Sequence, residues 1–370
     1  MKKQLPPTSL VSKVLGKSLL LARGKLDHAL EYSTIPFSQP DLIRPRTNEK
    51  FYTWTHYGIF FPLLPEPHRY LNIMILLGTP SALAFDHDDL ISAHPRKTAT
   101  FFSSTAAIDE HLLKAYIIPE ETHLQKNGTR IELGEEVSIQ GTLPNIHLKG
   151  AYHGLSFEFN LDVSDHVSWF VKTPIYDHFS LLSTFKGQLE YQGQITQAEG
   201  LCTYEYARAT GAHGIIHKPL PEAYKIPLDF FTYQIINLNE TTQLLLTKAD
   251  ILGQPTAYTL HVRHTDRPAE VYTDVQFQVI DYQTSAHVSP HGKKMRLPQS
   301  FSWTVKDTAK QKILEIFAEI DSPFRYGHGV GYVSAYTFTG EYRNHQVQGR
   351  GYLEYIDVED QKAFQNELIN

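Results

Sequence analysis

From about residue 51 onward the chain is written almost entirely in short strand-like stretches separated by turn residues. YLNIMILLG (70–78), TATFFSSTA (98–106), EVSIQGT (136–142), IHLKGAY (146–152) and LSFEFNLDV (155–163) carry the first half. LDFFTYQIINL (228–238), QLLLTKAD (243–250), AYTLHVR (257–263), QSFSWTV (299–305) and ILEIFAEI (313–320) carry the second. β-branched and aromatic runs at this spacing, with almost no helical period between them, restrict the chain to antiparallel barrels or sandwiches. Asn127-Gly128 is a hairpin-turn signal. Helix is expected in the N-terminal segment, at 107–113 and in the tail after Val358.

One phrase occurs twice. GLCTYEYAR (200–208) lies over GRGYLEYID (349–357), so that Gly200 meets Gly349, Glu205 meets Glu354 and Tyr206 meets Tyr355. Each copy follows a hairpin, FKGQLEYQG (185–193) in the first and YTFTGEYRN (336–344) in the second. A long-period repeat of this kind implies two copies of one β-unit, and a chain of 370 residues has room for two cores. The division expected is a basic N-terminal segment 1–50, a first β-domain 51–212, a second β-domain 213–358 and a tail 359–370.

Charge is unevenly distributed. Residues 1–50 hold nine Lys/Arg against four Asp/Glu, in a chain of net charge −6. Within them SLVSKVLGKSLLLARGKL (9–26) puts Val11, Leu15, Leu19, Ala22 and Leu26 on one helical face with Lys13 and Lys17 opposite. Such a helix either covers the body with its apolar face or touches an anionic membrane surface. No secretory pattern or membrane-long apolar run is visible, so a cytoplasmic protein, allowing peripheral membrane contact through residues 9–26, is expected. The overall acidity gives no reason to expect nucleic acid, and oligomeric state cannot be read.

Several chemistries find no motif. Cys202 is the single cysteine, so there is no internal disulfide or cysteine-cluster metal site. His213 and His217 have metal-like spacing, but Gly211, Gly214 and Pro219 oppose the helix that would align them. Asp86-His87-Asp88-Asp89 reads as an exposed turn rather than a calcium loop. GHGVGY (327–332) lacks the Lys-Ser/Thr of a phosphate loop, and Gly154-Leu155-Ser156-Phe157-Glu158 is no nucleophile elbow. No metal and no cofactor is expected.

The stretch 178–211 resembles the end of the first domain in the AttH/carotenoid-hydratase group, which includes hydroxyneurosporene synthase. The matching positions are His178-Phe179-Ser180, Gly187, Gly193, Gly200, Glu205, Tyr206 and Gly211, with Gly349, Gly351, Tyr352 and Glu354 in the second copy. The resemblance implies an all-β fold of two tandem lipocalin-like domains. It also implies binding of a hydrophobic small molecule (terpenoid, steroid, polyketide or acyl) and a cofactor-free hydration, isomerisation or cyclisation. The group's acid then falls on Glu205, with His178 and Asp177 as the next proton donors. The chain departs from the group in having Glu205-Tyr206 where hydratase-like members tend to have Asp-His, a poorer proton relay because a phenol titrates near ~10. Trp54, His56, Trp169, Tyr204, Trp303, Tyr352 and Glu354 are the expected contacts to the ligand, since aromatic rings suit a flat apolar molecule. Two other readings stay open. Both glutamates can be structural, each bonded to an arginine inside its barrel, because a folding device is copied with the fold. The chain can also be a carrier or envelope-associated interaction protein without catalysis.

Overall fold

The computed structural model describes residues 9–91 and 94–360. Helix α1 is Leu10–Leu26, and a short helix α2 is Ala29–Tyr32. The first sheet holds β1 (Trp54–Phe61), β2 (Leu71–Leu77), β3 (Thr98–Ser104), β4 (Leu112–Ile117), β5 (Thr122–Leu124), β6 (Arg130–Leu133), β7 (Val137–Thr142), β8 (Asn145–Tyr152), β9 (Leu155–Lys172), β10 (Tyr176–Tyr191) and β11 (Gln194–Ala209). The second holds β12 (Leu228–Asn237), β13 (Thr242–Ile251), β14 (Gln254–His264), β15 (Glu270–Tyr272) and β16 (Asp274–Tyr282). After a small hairpin of β17 (His287–Val288) and β18 (Lys294–Met295), it resumes with β19 (Pro298–Lys306), β20 (Lys312–Ile320), β21 (Arg325–His328), β22 (Gly331–Tyr342) and β23 (His345–Asp357).

The strand orders explain the repeated phrase. The first sheet runs β4-β3-β2-β1-β11-β10-β9-β8-β7-β6-β5, and the second runs β15-β14-β13-β12-β23-β22-β20-β19-β16. In each, the opening strand pairs antiparallel with the closing one, β1 with β11 and β12 with β23. The two copies of the phrase are those closing strands. The fold is all-β and tandem lipocalin-like, as expected.

Alternation along the closing strands assigns each side chain to one face of its sheet. Cys202, Tyr204 and Tyr206 point into the core of the first sheet, and Leu353 and Tyr355 point into the core of the second. Both strands are nonetheless buried on their other face as well. That face belongs to a third apolar cluster, in which Phe60, Phe102 and Phe170 of the first sheet meet Tyr233, Leu245 and Tyr352 of the second. The two β-units therefore pack back to back through the faces opposite their own cores.

Local expectations hold unevenly. Asn127-Gly128 does turn the chain between β5 and β6. Gly128 has φ +79°, and a Cβ there would stand 2.2 Å from the Ile43 carbonyl oxygen, so only glycine fits. The helix expected at 107–113 does not form, because Leu112 begins β4 and pairs with Ser103 of β3; a strand partner outweighs a run too short to hold a helix alone. The tail shows a helical turn at 358–360, and the rest lies outside the described residues. Helix α1 forms but is rotated from the expected orientation. It contacts the body through Ser12 and Gly16, with Ser12 Oγ donating to the Lys225 carbonyl (2.6 Å), while Val11, Leu15 and Leu26 are exposed. Asp86-His87-Asp88-Asp89 is also not an exposed turn. Asp86 and His87 are buried, Lys225 reaches Asp86 (2.9 Å) and Asp88 (2.6 Å), and the His87 ring bonds the Gly327 carbonyl (3.0 Å). The acidic run is a tie between the first sheet, the linker and the second sheet.

Candidate active site

Glu205 lies on β11 opposite Gly58 of β1 and Ser180 of β10. Glu354 lies on β23 opposite Tyr233 of β12 and Val333 of β22. Because their neighbours Tyr204, Tyr206, Leu353 and Tyr355 fill the cores, alternation turns both carboxyls outward from their own sheets. The expectation that they occupy barrel interiors is thus corrected: both enter the interface between the sheets. They are 3% and 2% exposed, so their partners must come from protein rather than bulk water.

Each carboxyl has a tyrosine and a histidine. Glu205 accepts a hydrogen bond from the Tyr233 hydroxyl, which comes from the other sheet, and its Oε2 stands 3.7 Å from His178 Nε2. Glu354 accepts from Tyr352 (3.0 Å), two residues away on the same strand face, and its Oε2 stands 3.1 Å from His328 Nε2. His56 joins the first group, with one ligand-capable atom each from His56, His178 and Glu205 within 4.8 Å of one another. Arg263 of β14 is buried alongside. It donates to Ser180 Oγ (2.9 Å) and interacts electrostatically with Glu205 and Tyr233.

Burial sets the protonation states. Desolvation, and then the charge of Glu205, push the Glu354 carboxyl well above the usual carboxylate range, which favours its protonated form. Burial, and then repulsion by His178, bring His56 down to about 3. Burial drives His328 well below its ordinary value. Burial lowers Arg263 to about 10, which leaves it charged at neutral pH. A carboxyl whose burial favours its protonated form, beside a neutral imidazole, therefore faces a second carboxyl that has its own imidazole and a fixed cation. Such an arrangement can offer an acid from one carboxyl and a proton acceptor from the other.

Of the residues expected from the sequence, the fold brings together His56, His178, Glu205, Tyr352 and Glu354. The others lie apart. Trp169 packs on Phe179 (4.6 Å) and Tyr204 on the same first-sheet core. Trp303 lies in the second core and donates to Gln234 (2.9 Å). Trp54 leans on Tyr176 (5.8 Å) at the edge, and Asp177 is held by Lys172 (3.2 Å) and Arg208 (2.8 Å). His213 and His217 do not share a helix; His213 bonds the Ile216 carbonyl, and His217 faces His94. Tyr233, Arg263, Ser180 and His328 were not selected from sequence. Tyr233 was findable, because it stands in the second copy where Gly58 stands in the first; His328 and Arg263 carry no such signal. Surface cavities of about 420 Å³ beside His94 and Arg96, and of about 210 Å³ beside His68 and Tyr191, lie away from this cluster.

A family model described as a family of unknown function, DUF6670, matches residues 74–367. No curated protein matches the chain in sequence. Among solved structures, kievitone hydratase from Nectria haematococca has a TM-score of 0.57 at 12% identity, over 88% of this chain and 94% of that one. A protein from Nitrosomonas europaea assigned as AttH has 0.59 at 14%, over 87% and 96%. CghA, solved with Sch210972, has 0.52 at 8%, over 83% and 89%. At these identities the likeness is one of fold.

Proposed function

The chain belongs to the DUF6670 family, and we propose that its interface between the two β-units is a proton-transfer site acting on a hydrophobic small molecule of terpenoid, steroid, polyketide or acyl type. The observation that carries this reading is the facing of two buried, duplicated carboxyls, each with its own tyrosine and histidine. Glu354 is the donor to an alkene or enol carbon. Glu205 with His178 takes the proton from water or from the substrate, and Arg263 holds the charge of that half. Hydration, isomerisation and cyclisation all follow from one such proton addition, and none of them requires an organic cofactor. The apolar rings around the pair, Phe60 and Phe170 among them, suit a hydrocarbon substrate and stabilise a developing cation. Kievitone hydratase is by name a hydratase on this same fold.

The test incubates the protein in D2O with a panel of terpenoid, steroid, polyketide and fatty acyl compounds and reads deuterium at carbon by mass spectrometry. Wild type incorporates deuterium into at least one class. Glu354→Gln loses incorporation while binding stays within about tenfold, or ~1.4 kcal/mol. Incorporation that survives in folded Glu354→Gln, or binding by no class, refutes the reading.

A second reading rests on helix α1. Leu10, Val11, Val14 and Leu21 are 56–77% exposed, with Lys13 and Lys17 also exposed. An apolar face flanked by lysines suits an anionic bilayer surface. No helix among the described residues is long and apolar enough to cross a membrane. Vesicles with anionic lipid should retain the protein and release it on Leu10→Ser/Val14→Ser; equal retention by neutral vesicles counts against this reading.

A further inference from the structure

We propose that His56, His178 and Glu205 form a binding site for a divalent transition metal of the zinc class. The three side chains come from adjacent strands, β1, β10 and β11, and project from one sheet face. His56 and His178 pair in register with the same residue, Ala207, from its two sides, and Glu205 is two residues along on that strand. The small Ala207 side chain leaves the space above it to the two imidazoles, which lean towards the carboxylate. A site carried on three hydrogen-bonded strands has its ligands fixed by the scaffold rather than by a loop.

The outer atoms of all three ligands are already held. His56 Nδ1 bonds the Ile75 carbonyl (3.2 Å), His178 Nδ1 bonds the Tyr176 hydroxyl (3.0 Å), and Glu205 Oε1 accepts from Tyr233. The atoms left to face one another are the inner ones. His178 Nε2 has no hydrogen-bond partner and stands 3.7 Å from Glu205 Oε2. His56 Nε2 lies 2.9 Å from where a Gly58 Cβ would be, beside the position that pairs with Glu205. An imidazole tied at its far nitrogen to a carbonyl or hydroxyl, with its near nitrogen bare, is the orientation that outer-sphere partners impose on metal-binding histidines.

The donor set selects the ion. Two imidazoles and one carboxylate suit zinc, cobalt or iron, whereas magnesium and calcium require oxygen donors. Three protein ligands leave a coordination position for water. Bonds of about 2.1 Å put ligand atoms roughly 3.4 Å apart, so the 4.8 Å spread closes by about 1.4 Å on loading. Arg263 shares the field of Glu205 and keeps affinity below that of a site without a neighbouring cation. The inference stands on these side chains and is an alternative to the proton-acceptor role of Glu205 and His178, since the lone pairs that would take the proton are those that would hold the ion. It departs from the sequence expectation of no metal, which was read from Cys202, the His213/His217 spacing and the Asp86-His87-Asp88-Asp89 run.

The experiment strips the full chain with a chelator, titrates it with Co2+ followed by visible absorption, and displaces the Co2+ with Zn2+. One-to-one binding with d–d bands is expected. It should weaken at least tenfold in His56→Gln, His178→Gln and Glu205→Gln, all near-isosteric and checked for folding by circular dichroism. His217→Ala, which removes the separate His94–His217 pair, should bind as wild type. Absence of stoichiometric binding overturns the proposal. So does binding that is unchanged in folded His178→Gln, or binding lost only in His217→Ala. Should any one variant unfold, the remaining two decide by the same criterion.

Discussion

Tyr233 of the second sheet donates its hydroxyl hydrogen bond to the carboxylate of Glu205 on the first. The bond ties a carboxylate of one unit directly to a side chain of the other, and both groups are buried. Tyr233→Phe keeps the ring packing against Phe60 and Phe170 and removes only the donor. A hydrogen bond to a charged group contributes about 1.5–3 kcal/mol. Urea denaturation should show a loss of that size, and an unchanged midpoint would mean that Glu205 is satisfied without Tyr233.

Gly58 occupies the place in β1 that Tyr233 occupies in β12. A Cβ there would come within 2.7 Å of the Phe60 ring and 2.9 Å of His56 Nε2. Gly58→Ala should therefore displace His56 and cost about 1–3 kcal/mol by overpacking. A crystal structure of the variant with His56 unmoved, or a stability equal to wild type, contradicts this.

Lys225 is buried between Asp86 and Asp88. Removing it strands Asp86 as an uncompensated buried charge, so Lys225→Met should destabilise by about 3–5 kcal/mol. Replacing lysine and both acids together should recover much of the loss. A single variant as stable as wild type would show that the tie carries no weight.

Burial leaves His56 and His261 at about 3 and His87 at about 4. Each is neutral when folded, whereas the unfolded chain takes up a proton below about 6.5, so the unfolded state binds more protons there. Stability consequently falls as pH drops from about 6.5 towards 4. Each such histidine contributes ~1.4 kcal/mol per pH unit of that fall. Glu354 acts in the opposite sense: its raised carboxyl stabilises the fold below about 4.3, and that contribution is lost as pH rises. His261→Phe, against Phe170 (5.7 Å), should reduce the stability lost between pH 7 and pH 5 by roughly 2 kcal/mol. Parallel denaturation curves for variant and wild type at the two pH values would contradict the assignment.

The two-unit repeat was legible because each closing strand carries the same phrase, and the all-β class because short β-branched and aromatic runs alternate with turn residues. Glu205 and Glu354 were legible as a pair for the same reason. Their surroundings were not. Alternation said that Glu205 faces away from Tyr204 and Tyr206, but not that the far face is covered by another sheet. That fact is tertiary, and it brings in His328 and Arg263 from strands distant in sequence. Trp169 and Trp303 misled because an aromatic residue in a strand fills a core as readily as it lines a cavity. Helix α1 misled because its contacts follow Ser12 and Gly16, where small side chains allow close approach, rather than its leucines.

The central claim is that a carboxyl group keeps its proton inside the interface at neutral pH. Infrared difference spectroscopy of wild type against Glu354→Gln reads this directly, since a protonated carboxyl has a carboxylic-acid carbonyl band that a carboxylate and an amide both lack, and glutamine copies its shape. At pH 7 the wild type should show that band, shifted in D2O, and the variant should lack it while remaining folded. If the two proteins give identical spectra in the protonated-carboxyl region, Glu354 is ionised and cannot be the acid.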